Sequence, residues 1–167
     1  MSINFGAVLA IAGLVAVGGC ASERAYAVPD HVCGVPVESA ALTPLLPDGE
    51  GIAESFTDKG QGSVSCRLSV DGSTVLYLAA DVTDRGTAAV SLDDDGLRRL
   101  GNPVLVDGAG DVTAVADRGA KAMAECTHAG QPRLFVGLVQ SEAAQPRDVL
   151  LAFLASWFPA ARAAAGC

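Results

Sequence analysis

The clearest pattern in the chain is an alternation of apolar and polar residues in its middle third. The apolar positions of this alternation are Val64, Cys66, Leu68 and Val70. Alternation with a period of two is typical of a half-buried strand, and the Asp71-Gly72 pair before the next apolar run, 75–82, favours a tight hairpin turn. We therefore predict a β-hairpin with Cys66 on its inward face, preceded by a weaker strand over 52–56.

The second half of the chain repeats this kind of signal in shorter segments separated by glycine-containing turns. The predicted strands are 104–106, 112–116, 120–126 and 134–140. Their spacing favours antiparallel pairing. In the third of them Ala120, Ala122, Ala124 and Cys126 share one face, and small side chains there would let a helix approach the sheet closely.

The last thirty residues change to helical spacing. The apolar stripe consists of Leu150, Leu151, Leu154, Trp157, Phe158 and Ala161. Intervals of three and four residues predict an amphipathic helix that opens around Pro146 and Asp148, is bent or divided at Pro159, and ends at Gly166. Two shorter helices are predicted, one beginning at Cys33 with Pro36 in its first turn and one on the surface after Ser91.

These elements predict an α+β domain over residues 33–167, in which an antiparallel sheet carries a short N-terminal helix and a C-terminal amphipathic helix.

The N-terminal segment has a pattern that fits neither a strand nor a helix of this domain. Residues 5–17 carry no charge and span only about 20 Å as a helix, too short for a hydrocarbon layer of about 30 Å.

This length suits the apolar part of a secretory signal, and Val17-Gly18-Gly19-Cys20 after it resembles a bacterial lipobox. The resemblance implies a signal peptide over 1–19, a diacylated Cys20, and a tether over 20–32. Two acyl chains suffice for stable anchoring. Two alternatives stay open: cleavage after Ala25-Tyr26-Ala27, which gives a secreted protein, and an uncleaved helix. The absence of Lys or Arg in the first four residues departs from ordinary signal peptides.

The net charge of the chain argues against one class of binding partner. The chain has 167 residues and a formal net charge of −8. Nucleic-acid binding requires a basic face that displaces counterions from phosphates, so nucleic acid is a poor candidate.

The cysteines indicate a disulfide framework. The chain contains five cysteines, and acylation of Cys20 would leave four. An even number in an exported protein predicts two disulfides, for which three connectivities exist. The predicted element order favours Cys33 with Cys66 and Cys126 with Cys167, which would tie each flanking helix to the sheet. A metal site at Cys126 and His128 is the alternative, but close partner ligands are missing, so no metal is expected.

The order of these features resembles a group of actinobacterial lipoproteins of unknown function. The residues that carry the resemblance are Cys20, Cys33-Gly34-Val35-Pro36 and Cys66-Arg67. It implies a domain held at the outer face of the cell membrane by diacylglycerol on Cys20. It implies no activity.

Motifs for chemistry are sparse. The sequence has neither a G-x-S-x-G nucleophile elbow nor a phosphate-binding loop, and its histidines are His31 in the tether and His128 in a predicted turn. We therefore expect no enzyme, no catalytic residue and no cofactor, but a module that binds an unknown ligand or envelope protein. The alternatives are a cell-envelope hydrolase that uses His128 or carboxylates, and a purely structural role.

Overall fold

A computed structural model describes residues 24–84 and 95–167. The predicted signal peptide, Cys20 and the first tether residues lie outside the described residues, as does the Ser91 position of the predicted surface helix. Statements about structure below concern the described ranges.

A seven-stranded antiparallel sheet dominates the domain. Its strands are β3 (Ile52–Gly60), β4 (Ser63–Val70), β5 (Ser73–Thr83), β6 (Val104–Val106), β7 (Val112–Val115), β8 (Gly119–His128) and β9 (Gln131–Ser141). They are arranged in the order β3-β4-β5-β9-β8-β7-β6. The α+β class with an antiparallel sheet is confirmed. The weak strand predicted over 52–56 is longer than expected and forms one edge of this sheet.

Three hairpins of the seven-stranded sheet turn through a pair of residues with left-handed backbone. In the predicted hairpin of β4 and β5, Asp71 and Gly72 have φ angles of 50° and 80°. Such a pair matches the twist of the flanking strands, which is why Asp-Gly marks this turn. Inside the hairpin Cys66, Leu68 and Val70 are buried, as the alternation predicts.

The long helix is α3 (Arg147–Ala164), which packs on β7, β8 and β9. Its buried residues are Leu150, Phe153, Leu154, Trp157, Phe158 and Ala161. The predicted stripe is correct except that Phe153 replaces Leu151, which is half-buried. The helix is not divided at Pro159, which lies on its exposed side, where water can bond to the carbonyl that lacks an N–H partner. Neither α3 nor another helix within residues 24–84 and 95–167 has the length and apolar character needed to cross a bilayer.

The sheet accommodates α3 through small residues. Ala120, Ala122 and Ala124 on β8 are buried beneath the helix, as predicted. Beside them Gly137 of β9 is paired with Ala122. A Cβ atom at Gly137 would lie 2.7 Å from Cδ2 of Phe158, so a side chain at this position has no space.

The chain around Cys33 differs from the prediction. Cys33 and Gly34 have φ angles of 60° and 73° and form the turn of a small hairpin of β1 (His31–Val32) and β2 (Val35–Pro36). Left-handed backbone cannot begin an α-helix. The short helix α1 (Ser39–Leu42) therefore starts later and continues into a 3₁₀ turn over Thr43–Leu45.

Most of the predicted tether, 20–32, is attached to the domain. Arg24 donates a hydrogen bond of 3.1 Å to the carbonyl of Thr43, and the amide of Ala25 donates one of 2.8 Å to the carbonyl of Gly49. Tyr26 packs against the main core, and Val32 is fully buried. From Arg24 onward the chain is therefore part of the folded domain.

The other face of the sheet carries a smaller cluster. The short helix α2 (Asp95–Arg98) buries Leu97 there, and Leu100 lies beside it against Ala114 and Ala116 of the β7 region. A short helix is therefore present after Ser91, as predicted, with Leu97 towards the sheet and with Asp95 and Arg98 exposed.

Asp117 joins three segments near this cluster. Its carboxylate accepts a hydrogen bond of 3.3 Å from the amide of Asn102 and one of 3.2 Å from Arg147 at the start of α3. These hydrogen bonds, that from Asn102 first, hold the pKa of Asp117 below its usual value. The 101–102 loop, the β7–β8 turn and α3 are thereby linked at one end of the sheet.

Candidate functional site

Two disulfides frame the domain. Cys33 is bonded to Cys66 and Cys126 to Cys167, with Cα–Cα distances of 5.7 and 5.0 Å. These are the pairs that the sequence favours. The first joins the β1–β2 turn, rather than a helix, to β4.

The second disulfide joins the segment after α3 to β8. Gly166 ends the helix with a φ of 76°, and the amide of Cys167 donates to the carbonyl of Arg162 at 3.1 Å. This is the Schellman arrangement, in which a left-handed glycine reverses the chain after a helix. It turns Cys167 towards β8.

The cysteines that a metal site would use are engaged in these bonds. Among the described residues, Cys33, Glu54 and Cys66 place ligand-type atoms within 4.8 Å of one another. A soft metal binds thiolates, and these two sulfur atoms are bonded to each other. The same holds for Cys126 beside His128.

His128 is not in an exposed turn, as the sequence suggested, but is the last residue of β8 and is half-buried. Its Nδ1 lies 3.0 Å from the carbonyl oxygen of Ala165. Because a carbonyl only accepts, Nδ1 carries the proton in this contact. The imidazole therefore connects the end of β8 to the end of α3.

A polar cavity of about 300 Å³ adjoins this imidazole. Arg133 in its wall forms an ion pair with Asp84. A hydrolytic triad requires a carboxylate that orients the base. Among the described residues, a main-chain carbonyl bonds to His128 in that place, and the nearby acid of the cavity is paired with Arg133.

Replacing His128 with alanine should lower the free energy of unfolding by about 1 kcal/mol, the typical value of a net hydrogen bond. This exceeds the 0.5 kcal/mol or so expected for a surface histidine. Urea unfolding of His128→Ala beside His31→Ala measures the difference, since the side chain of His31 is exposed and lies 2.8 Å from that of its neighbour Asp30. Equal stabilities of the two variants would contradict the structural role of His128.

A second cavity, which we call the β3 groove, lies where β3 faces the end of α3. It measures about 270 Å³. Its walls include Val35, Phe56 and Asp58 on one side and Ala161, Ala164 and Ala165 on the other, with Cys33 at its base. Phe56 is 51% exposed, and among the large apolar residues of the described chain Leu105 is the other one with more than half of its surface exposed.

Within residues 24–84 and 95–167, the strand that borders this groove has one side with no neighbouring strand. β3 pairs with β4 and ends the sheet. All its residues after Ile52 are exposed. An edge strand presents unpaired N–H and C=O groups, which form hydrogen bonds with water until another strand pairs with them.

Acidic residues flank Phe56 on the face that borders the groove. Register with the buried residues of β4 places Glu54, Phe56 and Asp58 on this face. Asp58 also accepts a hydrogen bond of 2.7 Å from the amide of Gly60, at an irregularity of the β3–β4 pairing. On the opposite face Lys59 lies 3.7 Å from Asp81.

The chain matches no protein-family model, no curated protein and no solved structure. The β3 groove is not predicted from the sequence, because the pattern over 52–56 indicates only a weak strand. The signal that could have revealed it is Glu54-Ser55-Phe56-Thr57-Asp58, in which an aromatic residue alternates with acids on one face. That alternation does not fit a buried face and fits an exposed one.

Two further cavities lie elsewhere. One of about 200 Å³ is bordered by Leu45, Leu46 and Val75, close to the end of β9. The other, of about 360 Å³, has Leu97, Leu100 and Leu138 in its wall and belongs to the smaller cluster under α2. Neither adjoins an edge strand with an exposed aromatic ring.

Proposed function

We propose that the protein is a lipoprotein anchored in the outer face of the cell membrane by diacylglycerol on Cys20, and that its extracytoplasmic domain is a binding module. The observation that carries the binding role is the β3 groove with the exposed ring of Phe56. Exposed aromatic rings beside a cavity are characteristic of recognition surfaces. The lipobox resemblance supports the anchor, and the two disulfides agree with an oxidising compartment.

The finer arrangement of the domain belongs to this proposal. We propose that the two disulfides hold the ends of the chain to the sheet, one through the β1–β2 turn and one through the segment after α3. The sheet with α3 would then act as a rigid support for the groove. A rigid support reduces the entropy lost on binding.

The alternative is a cell-envelope hydrolase that uses His128 or carboxylates. The contact of His128 with the carbonyl of Ala165 favours a structural role for this histidine. A hydrolytic activity of the purified protein that disappears in His128→Ala while the fold persists would favour the enzyme instead.

The anchor is tested by Cys20→Ala. This change removes the thiol that would accept the diacylglycerol, so we expect incorporation of labelled fatty acid and cleavage at this site to be abolished. Fatty-acid labelling and intact mass spectrometry of the native protein report both. A Cys20→Ala protein that still takes up label would contradict the lipobox.

The binding role is tested by photocrosslinking in intact cells. A photoreactive phenylalanine analogue at Phe56 should yield a discrete crosslinked product, because this side chain borders the proposed binding surface. The matched control carries the same analogue at Leu105, which is 54% exposed on β6 at the opposite edge of the sheet. Absence of a product specific to position 56 would count against the groove as a binding surface.

A further inference from the structure

We propose that the free edge of β3 binds an extended segment of a partner protein as an added strand, and that this segment carries basic side chains on both sides of an apolar one. The inference rests on the proposed binding function and names the class of partner for the same groove.

The backbone provides the first argument. Among the residues that the structure describes, β3 is paired with another strand on one side only, and its residues from Ala53 to Gly60 are exposed. The irregularity between Asp58 and Gly60 ends the regular pairing with β4, which covers residues 52–58. Seven residues are enough for the main-chain hydrogen bonds by which edge strands bind extended peptides.

The side chains provide the second argument. Glu54, Phe56 and Asp58 point to the same face, because successive side chains of a strand alternate. On an added strand, the residues directly opposite would have Cβ atoms about 4.5 to 5.5 Å away. Opposite charges favour such pairs, so lysine or arginine suits the positions facing Glu54 and Asp58. An apolar side chain suits the position facing the exposed part of Phe56.

The same charges disfavour a second copy of this chain. Antiparallel self-pairing centred on Phe56 is the register that would align all nine residues of β3. It would place Glu54 of each copy opposite Asp58 of the other, and parallel in-register pairing would place each acid opposite itself. Like charges directly opposite are destabilising in a sheet. Inward-pointing charges of this kind protect edge strands from self-association, while a basic partner strand neutralises them.

The probe is a capped peptide of sequence Thr-Lys-Thr-Leu-Thr-Lys-Thr, which carries a label for fluorescence anisotropy. It is titrated with the full chain purified in detergent at low salt. A matched peptide has glutamate in place of both lysines. We expect the lysine peptide to bind at least about tenfold more tightly, since two exposed ion pairs are gained and two repulsions avoided.

Strand addition is separated from simple charge attraction by two N-methylated forms of the lysine peptide. One form is methylated on the amides of the threonines, and the other on the amides of the lysines and leucine. Alternate amides of a strand point to opposite edges, so only one set faces β3. One form should lose binding at least about tenfold and the other should stay within about twofold. Equal effects of the two would overturn strand addition.

Substitutions in the chain test whether the lysine peptide binds at β3. Glu54→Gln together with Asp58→Asn should weaken the lysine peptide about tenfold. Asparagine keeps an oxygen that can accept from the amide of Gly60, so the turn is preserved. The control is Asp107→Asn, an exposed acid after β6 at the other edge of the sheet. An equal loss in the control would mean that the peptide senses overall charge and would contradict the proposal.

The outcomes also distinguish this inference from the proposed function. A crosslinked product at Phe56 without binding of the lysine peptide would leave the binding module intact and overturn the basic-strand partner. A product consisting of two copies of this chain would identify self-association at β3 instead. Absence of both the product and peptide binding would contradict both proposals.

Discussion

Replacing both Cys33 and Cys66 with alanine should lower the free energy of unfolding by about 3 to 4 kcal/mol in the chain-entropy model. The bond closes a loop between residues 33 apart in sequence, and it fixes the β1–β2 turn over β4. Without the disulfide the unfolded chain gains conformational entropy and the folded chain does not, so the unfolded state becomes more favourable. Urea unfolding of the double variant under non-reducing conditions measures the loss.

The matched control is Cys126→Ala with Cys167→Ala. Its loop is 41 residues long, so the same model gives a nearly equal loss of stability. The two double variants should differ in their effect on the β3 groove, because Cys33 lines this groove and Cys126 does not. Hydrogen exchange of β3 should rise in the first pair and stay unchanged in the second. A Cys33→Ala and Cys66→Ala protein as stable as the parent would contradict the bond.

Replacing Gly137 with valine should cost about 3 kcal/mol or more, at the upper end for overpacked cores. A Cβ atom here would meet Cδ2 of Phe158 at 2.7 Å and Cζ3 of Trp157 at 3.1 Å, and both rings are almost fully buried. Because both rings are packed on all sides, neither side chain can change its rotamer to make room for the added atoms. Gly137→Ala should cost about 1 to 2 kcal/mol, because the gain in chain stiffness offsets a part of the strain.

Gly51→Ala provides the comparison for Gly137. The nearest atom to its added Cβ, Oδ1 of Asp71, lies at 3.9 Å, an ordinary contact. We expect this variant to remain within about 0.5 kcal/mol of the parent. Fluorescence of Trp157, the single tryptophan, should change in both Gly137 variants and not in Gly51→Ala. A Gly137→Ala protein of parental stability would show that α3 sits farther from the sheet.

The sheet and α3 could be predicted because their signals are local. Alternation along β4 and the Asp71-Gly72 turn are read within a few residues, and so is helical spacing after Pro146. The error at Phe153 is of another kind. A buried stripe that includes Leu151 and one that includes Phe153 differ by a small rotation of the helix about its axis. The surface against which the helix packs decides this rotation.

The elements that could not be predicted depend on contacts distant in sequence or on backbone that side chains do not reveal. Cys33 adopts a left-handed conformation that few non-glycine residues prefer, so Pro36 suggested a helix instead. His128 contacts Ala165, 37 residues away. β3 is exposed on both faces, so burial gives no period to its sequence.

If Cys20 carries the proposed diacylglycerol, the attachment of Arg24 to the domain would limit how far the domain stands from the bilayer. Arg24 is the fourth residue after Cys20, and at most about 3.6 Å per residue these four steps reach about 14 Å. That is roughly half the thickness of a hydrocarbon core. The domain would thus work almost in contact with the headgroups. Ala25 is bonded to Gly49, three residues before β3 begins, so the first residues of the free edge would lie near the membrane.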